Sequence, residues 1–221
     1  VCVGRPADAP AVDGGALVLD GVHREGYEVV LHDILPLLSS LLADTASGEV
    51  RSQAIQAVVA IAGGCIQTAD LAMHVLTIII EFAGNDASEE RRMTAVELLD
   101  ALSPILKKDE MCRQFVVPTV VSLAEDGAFR VRMAVGRNIA NVFRNSSRED
   151  IVEKLLPAFF HLTEDEIWGV RKACAESLWQ IAKVLPGDVR RKHAAAQAPA
   201  SFTSRKVGKT LTGVYRAFVA D

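Results

Sequence analysis

An arginine returns at nearly constant intervals through the middle of this chain: Arg51, Arg92, Arg132 and Arg171, separated by 41, 40 and 39 residues. The apolar pattern after each one repeats with it. Three residues on stand Ala54, Ala95, Val135 and Cys174; seven on, Val58, Leu99, Ile139 and Leu178; ten on, Ile61, Leu102, Val142 and Ile181. Such offsets keep to one face of a helix, so each arginine opens an amphipathic helix. A second apolar stripe precedes it, as Leu31, Ile34, Leu35, Leu38 and Leu41 in the first unit and Val152, Leu155, Leu156, Phe159 and Leu162 in the fourth. Each unit therefore reads as helix, short turn, helix, over 31–64, 71–106, 111–146 and 150–185. One such pair cannot cover its own apolar face, so neighbours must stack into a solenoid, an architecture suited to holding other proteins.

Two more positions keep the register. Asp44, Asp126 and Asp165 lie six or seven residues before the arginine, with Asn85 in the second repeat. Short acceptors there suit a turn or an N-cap, where they satisfy free backbone N–H groups of the second helix. Together Asp44, Arg51, Arg92, Asp126, Arg132, Asp165 and Arg171 are expected to form a structural ladder between neighbouring repeats. Pro36, Pro118 and Pro157 fall fourteen or fifteen residues before the arginine, inside the first helix, where a missing N–H bends the chain. Thr77 takes that place in the second repeat, which predicts a straighter first helix there.

The helical proline, the turn Asp and the pairs Val50-Arg51, Val131-Arg132 and Val170-Arg171 resemble HEAT repeats, although the second repeat reads Arg91-Arg92. The resemblance covers about Tyr27 to Leu185. It implies an all-α fold, an α–α superhelix of the armadillo/HEAT type with about four repeats over 27–185. By composition, an irregular segment, 1–26, precedes it, and a basic segment, 186–221, follows, either disordered or with a short helix or half repeat at 208–219. The stretches FVVPTVVSLAEDGAFRVR (115–132) and LLPAFFHLTEDEIWGVRKACAE (155–176) are similar to the HEAT-repeat regulatory subunits of protein phosphatase 4, relatives of the scaffold subunit of protein phosphatase 2A. That likeness implies a non-catalytic regulatory or scaffold subunit. Its intra-repeat turns would hold a protein phosphatase 4- or 2A-like catalytic subunit, with further regulatory subunits as additional partners. The turns in question carry Gly127-Ala128-Phe129-Arg130 and Glu166-Ile167-Trp168-Gly169. Phe129, Arg130, Glu166 and Trp168 are the candidate partner-binding residues, since Trp and Arg dominate binding hot spots. The other reading of the two aromatics is that they cap the apolar seam between repeats. A HEAT adaptor or transport scaffold with no phosphatase partner is the alternative function.

Other chemistries find little support. Gly208-Lys209-Thr210 looks like the end of a P-loop, but Thr203 stands where its first glycine is needed. The five histidines do not pair with Cys, Asp or Glu at metal spacings, and Cys174 lies in the apolar register, so neither a metal, a cofactor nor a catalytic residue is expected. The Glu164-Asp165-Glu166 cluster reads as a solvated turn. No apolar run approaches the length needed to cross a bilayer. Residues 186–221 carry seven Lys/Arg against two acids, net +5, which leaves −9 for the first 185 of a chain whose total is −4. The basic cluster Arg190-Arg191-Lys192-His193 has few aromatics around it, which argues against nucleic acid. Cys2, Cys65, Cys112 and Cys174 are scattered, as in reduced intracellular proteins, which suggests the cytoplasm, with the nucleus as a second compartment.

Overall fold

The arginine-led stripes and the stripes before them form paired helices. A computed structural model of the chain describes residues 21–106 and 110–195. Every regular element among them is helical. The first helices are α1 (21–42), α3 (68–83), α5 (110–124) and α7 (148–163); the second helices are α2 (Gly48–Gly64), α4 (Glu89–Leu102), α6 (129–145) and α8 (Trp168–Val184). A ninth, α9 (Gly187–Ala195), follows. The chain divides into two compact units, one ending at Ile105 and the other beginning at Leu106. In the first unit α1 packs on α2, α3 on α4, and α2 on α4. The second unit pairs α5 with α6 and α7 with α8, and stacks α6 on α8 and α5 on α7. This is an all-α fold of the HEAT/armadillo solenoid type.

The repeating register is the core. Each residue at the third, seventh and tenth position after a marker arginine is buried, from Ala95 and Val135 at 0 % exposure to Leu178 at 8 %. In the second unit the largest sealed side chains are Phe143 and Phe159, edge to face with ring centroids 6.3 Å apart. Cys174 is fully buried, and burial pushes its thiol up to about 12. It is a core thiol. Its sulfur faces Gly136, where an added Cβ would lie 2.8 Å from Sγ, and Ser177 Oγ donates a 2.6 Å hydrogen bond to the Gly136 carbonyl. A glycine is needed there because α6 and α8 approach too closely for a side chain.

Every first helix contains a widened π-helical turn at one register position: Val30–Ile34, Ala72–Leu76, Cys112–Val116 and Ile151–Leu155. In three repeats the residue before the proline donates its N–H five residues back, Leu35 to Val30, Val117 to Cys112 and Leu156 to Ile151. This moves the fourth carbonyl back out of the way of the proline ring. The second repeat has the same turn without a proline. Thr77 Oγ1 donates to the carbonyls of Met73 (2.8 Å) and Ala72 (3.4 Å). The first helix of the second repeat, expected to be straighter for lack of the proline, thus carries the same widened turn as the others.

Helix starts also differ from the sequence reading. The first helix begins at Gly21, six residues before Tyr27, although Gly21 and Gly26 are poor helix formers. It is tied to the next repeat by Tyr27, whose hydroxyl donates to Asp70 Oδ2 at 2.5 Å and accepts from Gln67 N–H. Burial and that carboxylate push the Tyr27 phenol up to about 12. At the other end, α9 brings part of the basic segment into a helix. Val189 is buried, and Arg148 at the start of α7 pairs with the exposed Asp188. The expected helix at 208–219, the lysine and threonine of the P-loop-like string, and Cys2 lie outside the described residues.

Candidate protein-binding site on the intra-repeat turns

The turns are built by the recurring Asp and Arg. Asp44 Oδ1 accepts the N–H groups of Ala46 and Ser47, Asp126 Oδ1 that of Ala128, and Asp165 Oδ1 that of Ile167, at 2.8–2.9 Å. Of the two roles open to these acids, turn or N-cap, the structure shows the turn. Each closes the turn one step earlier, and the N-caps are Ser47, Ser88, Ala128 and Ile167. Ser47 and Ser88 each accept from a first-turn N–H with the side-chain oxygen, whereas Ala128 and Ile167 have no side chain to do so.

Each marker arginine then clamps its own turn. Arg51 Nη1 donates to the Asp44 carbonyl at 2.7 Å, and Arg92 to that of Ala87. Arg132 donates to Asp126 and Gly127, and Arg171 to Asp165 and Glu166. A direct rung between repeats is formed in the second unit. Arg132 grips Asp165 with two prongs, Nε to Oδ2 at 2.6 Å and Nη2 to Oδ1 at 3.1 Å. Burial pushes the Asp165 carboxyl up, but the Arg132 guanidinium and the Ile167 N–H pull it further down, so it ends below the usual carboxylate range. Arg132 is correspondingly raised by that hydrogen bond. In the first unit the second repeat offers the amide Asn85 at the place of the acid.

Clamped turns hold the first turns of α6 and α8 side by side, and the four candidate partner residues all stand there exposed. Phe129 is 44 % exposed and Trp168 68 %. Trp168 thus stands at the surface, outside the buried part of the seam. The seam is filled instead by small groups, with Gly169 against Met133 and Gly136 against Ala173 and Cys174. Phe129 and Trp168 border a shallow groove of about 250 Å³, with Met133, Ile167 and Ala173 as its other apolar lining and Arg137, Lys172 and Glu176 as its charged members. Lys172 Nζ lies 6.0 Å from the Trp168 ring centroid and 3.7 Å from Glu176 Oε1. In the first unit a groove beside Leu38, Leu41 and Val50 has no aromatic lining.

The groove includes residues that the sequence reading did not single out: Met133, Arg137, Lys172 and Glu176. Outside the groove, Trp179, eleven residues after Trp168, was likewise not singled out; it is 68 % exposed and carries Lys183 Nζ 4.8 Å from its ring centroid. The signal was present as a Trp-x-x-x-Lys spacing that occurs twice on one helical face. Among the described residues no group of three or more His, Cys, Asp or Glu is placed to hold a metal ion. None of their helices is long and apolar enough to cross a membrane.

Stacked helix pairs with Asp-closed, Arg-clamped turns define a HEAT-repeat protein, and the profile of the HEAT repeat matches residues 155–185. The chain is a HEAT-repeat protein that resembles serine/threonine-protein phosphatase 4 regulatory subunit 1. It is 28 % identical to that protein from Homo sapiens over 160 residues and 27 % identical to the one from Rattus norvegicus, in each case over 72 % of this chain and 17 % of the relative. The chain thus spans about a sixth of the length of these relatives. Among solved structures, a designed armadillo repeat protein in complex with the peptide (KR)4 superposes with a TM-score of 0.46 at 22 % identity, covering 88 % of this chain and 86 % of that one.

Proposed function

We propose that this chain is a non-catalytic regulatory or scaffolding element of a serine/threonine protein phosphatase, and that its intra-repeat turns hold the catalytic subunit. The carrying observation is the exposed aromatic edge of Phe129 and Trp168, presented on Arg-clamped turns in a chain that resembles a phosphatase 4 regulatory subunit. Exposed large aromatics flanked by arginine and lysine are the side chains that most often anchor protein interfaces. The chemistry of dephosphorylation would then reside in the partner, with this chain supplying placement.

The test uses the full chain with purified phosphatase 4 and phosphatase 2A catalytic subunits, comparing wild type with Trp168→Ala by co-elution and titration. Wild type is expected to bind one of them. Trp168→Ala should weaken that binding tenfold or more while far-UV circular dichroism stays unchanged, because the side chain contributes little to the core. Equal binding by the variant would remove the turn edge from the interface. No binding of either catalytic subunit by the folded chain would leave a HEAT adaptor without a phosphatase partner.

A further inference from the structure

The groove between the first turns of α6 and α8 has a chemical polarity of its own. Its apolar part is formed by Phe129, Met133, Ile167 and Trp168. A volume of about 250 Å³ is below the range of small-molecule pockets and suits one large side chain. Its charged part is asymmetric. Lys172 and Glu176 face each other as an i,i+4 pair and largely cancel. Arg137, exposed on α6, makes no hydrogen bond or ion pair with any described residue. An uncompensated guanidinium beside exposed aromatics stands out in a chain of net charge −4. It presents a planar fork of donors matched to a carboxylate.

We infer that this groove receives an acidic linear peptide segment, with a bulky apolar side chain seated between Phe129 and Trp168 over Met133 and a neighbouring carboxylate on Arg137. The inference rests on reading the turn edge as a docking surface and specifies what docks there. Closing the groove removes apolar edges from water, while the carboxylate supplies the charge that Arg137 lacks. Arg137 also selects against basic peptides, which would bring like charge onto it.

The experiment uses the full chain carrying Trp179→Phe, so that Trp168 is the sole tryptophan and reports directly on the groove. The probe is the synthetic peptide acetyl-Ser-Glu-Glu-Leu-Phe-Glu-Glu-Ser-amide. Two controls replace every Glu by Lys, or Leu-Phe by Ala-Ala. The acidic peptide should change Trp168 fluorescence saturably, and both controls should bind at least tenfold more weakly. Arg137→Glu should weaken the acidic peptide tenfold or more and improve the lysine peptide. Equal binding of acidic and basic peptides, or indifference to Arg137→Glu, would overturn the inference. Measured beside catalytic-subunit binding, the two ideas separate. Catalytic-subunit binding without acidic-peptide binding overturns only the peptide proposal. Arg137-dependent peptide binding without catalytic-subunit binding upholds the peptide proposal and overturns the phosphatase reading.

Discussion

At the scale of single residues, the Asp165 carboxylate joins two repeats. One oxygen holds the Ile167 N–H and an Arg132 prong, and the other takes the second prong, so one carboxylate closes its own turn and links it to the preceding repeat. The side chain is 5 % exposed and that of Arg132 14 % exposed. Breaking one partner of so enclosed a pair leaves the other charge poorly solvated, which costs roughly 2–3 kcal/mol. The pH dependence has a definite sign. The carboxyl is lower in the folded chain than in the unfolded one, so its stabilisation is fully present above an unfolded value of about 3.9 and is lost as pH falls through the depressed folded value. Asp150, lowered in spite of burial by hydrogen bonds from Lys154 and Ser147, acts in the same window. Asp165→Asn should therefore reduce stability to urea at pH 7 and flatten, without abolishing, the loss of stability below about pH 4. A variant whose acid limb superposes on wild type would show that Asp165 carries none of it.

At the scale of helices, the sequence pattern located each pair because burial, period and marker arginine all act at the same positions. The caps were less legible. Asp closes the turn while a residue with no side-chain acceptor, Ala128 or Ile167, takes the N-cap in the last two pairs. Spacing alone does not distinguish an acid that caps from one that holds the preceding turn, because both accept nearby N–H groups. The π-helical turn was hidden for a different reason. Proline marks it in three repeats, but Thr77 does the corresponding work with its hydroxyl, and an i→i+5 turn leaves no fixed residue signature. The second repeat should then accept the residue it lacks. Counted from the widened turn, Ile78 of the second repeat stands where Pro36, Pro118 and Pro157 stand in the others, two residues past the turn's end. Ile78→Pro should cost about 1–2 kcal/mol, chiefly for trimming a half-buried side chain. Ile80→Pro, further along at a half-exposed side chain, should cost about 3 kcal/mol or more by breaking a regular α-helical turn. Urea titration of both variants compares them directly, and an equal cost at the two sites would show that the widened turn gives proline no shelter.

At the scale of the whole molecule, four similar repeats read from sequence suggest three equal stacking interfaces, yet the chain divides into two compact units with the boundary at 105/106. No residue pattern announces that division, because repeat register records which faces are apolar and says nothing of how strongly one pair couples to the next. The exposure of Trp168 was equally hidden, since a Trp three residues before the marker reads the same whether it covers a seam or faces a partner. The unit division has an energetic consequence. Phe159 is fully buried and stacks edge to face on Phe143 within the second unit, so Phe159→Ala should cost about 3–5 kcal/mol there. In a nearest-neighbour array that loss is borne first by the helices packed around the cavity. Hydrogen exchange on the variant should thus show protection falling across 110–185 while 31–102 keeps most of its wild-type protection. A uniform fall across both units would instead make the whole chain one cooperative block, with the coupling across 105/106 as strong as the packing inside each unit.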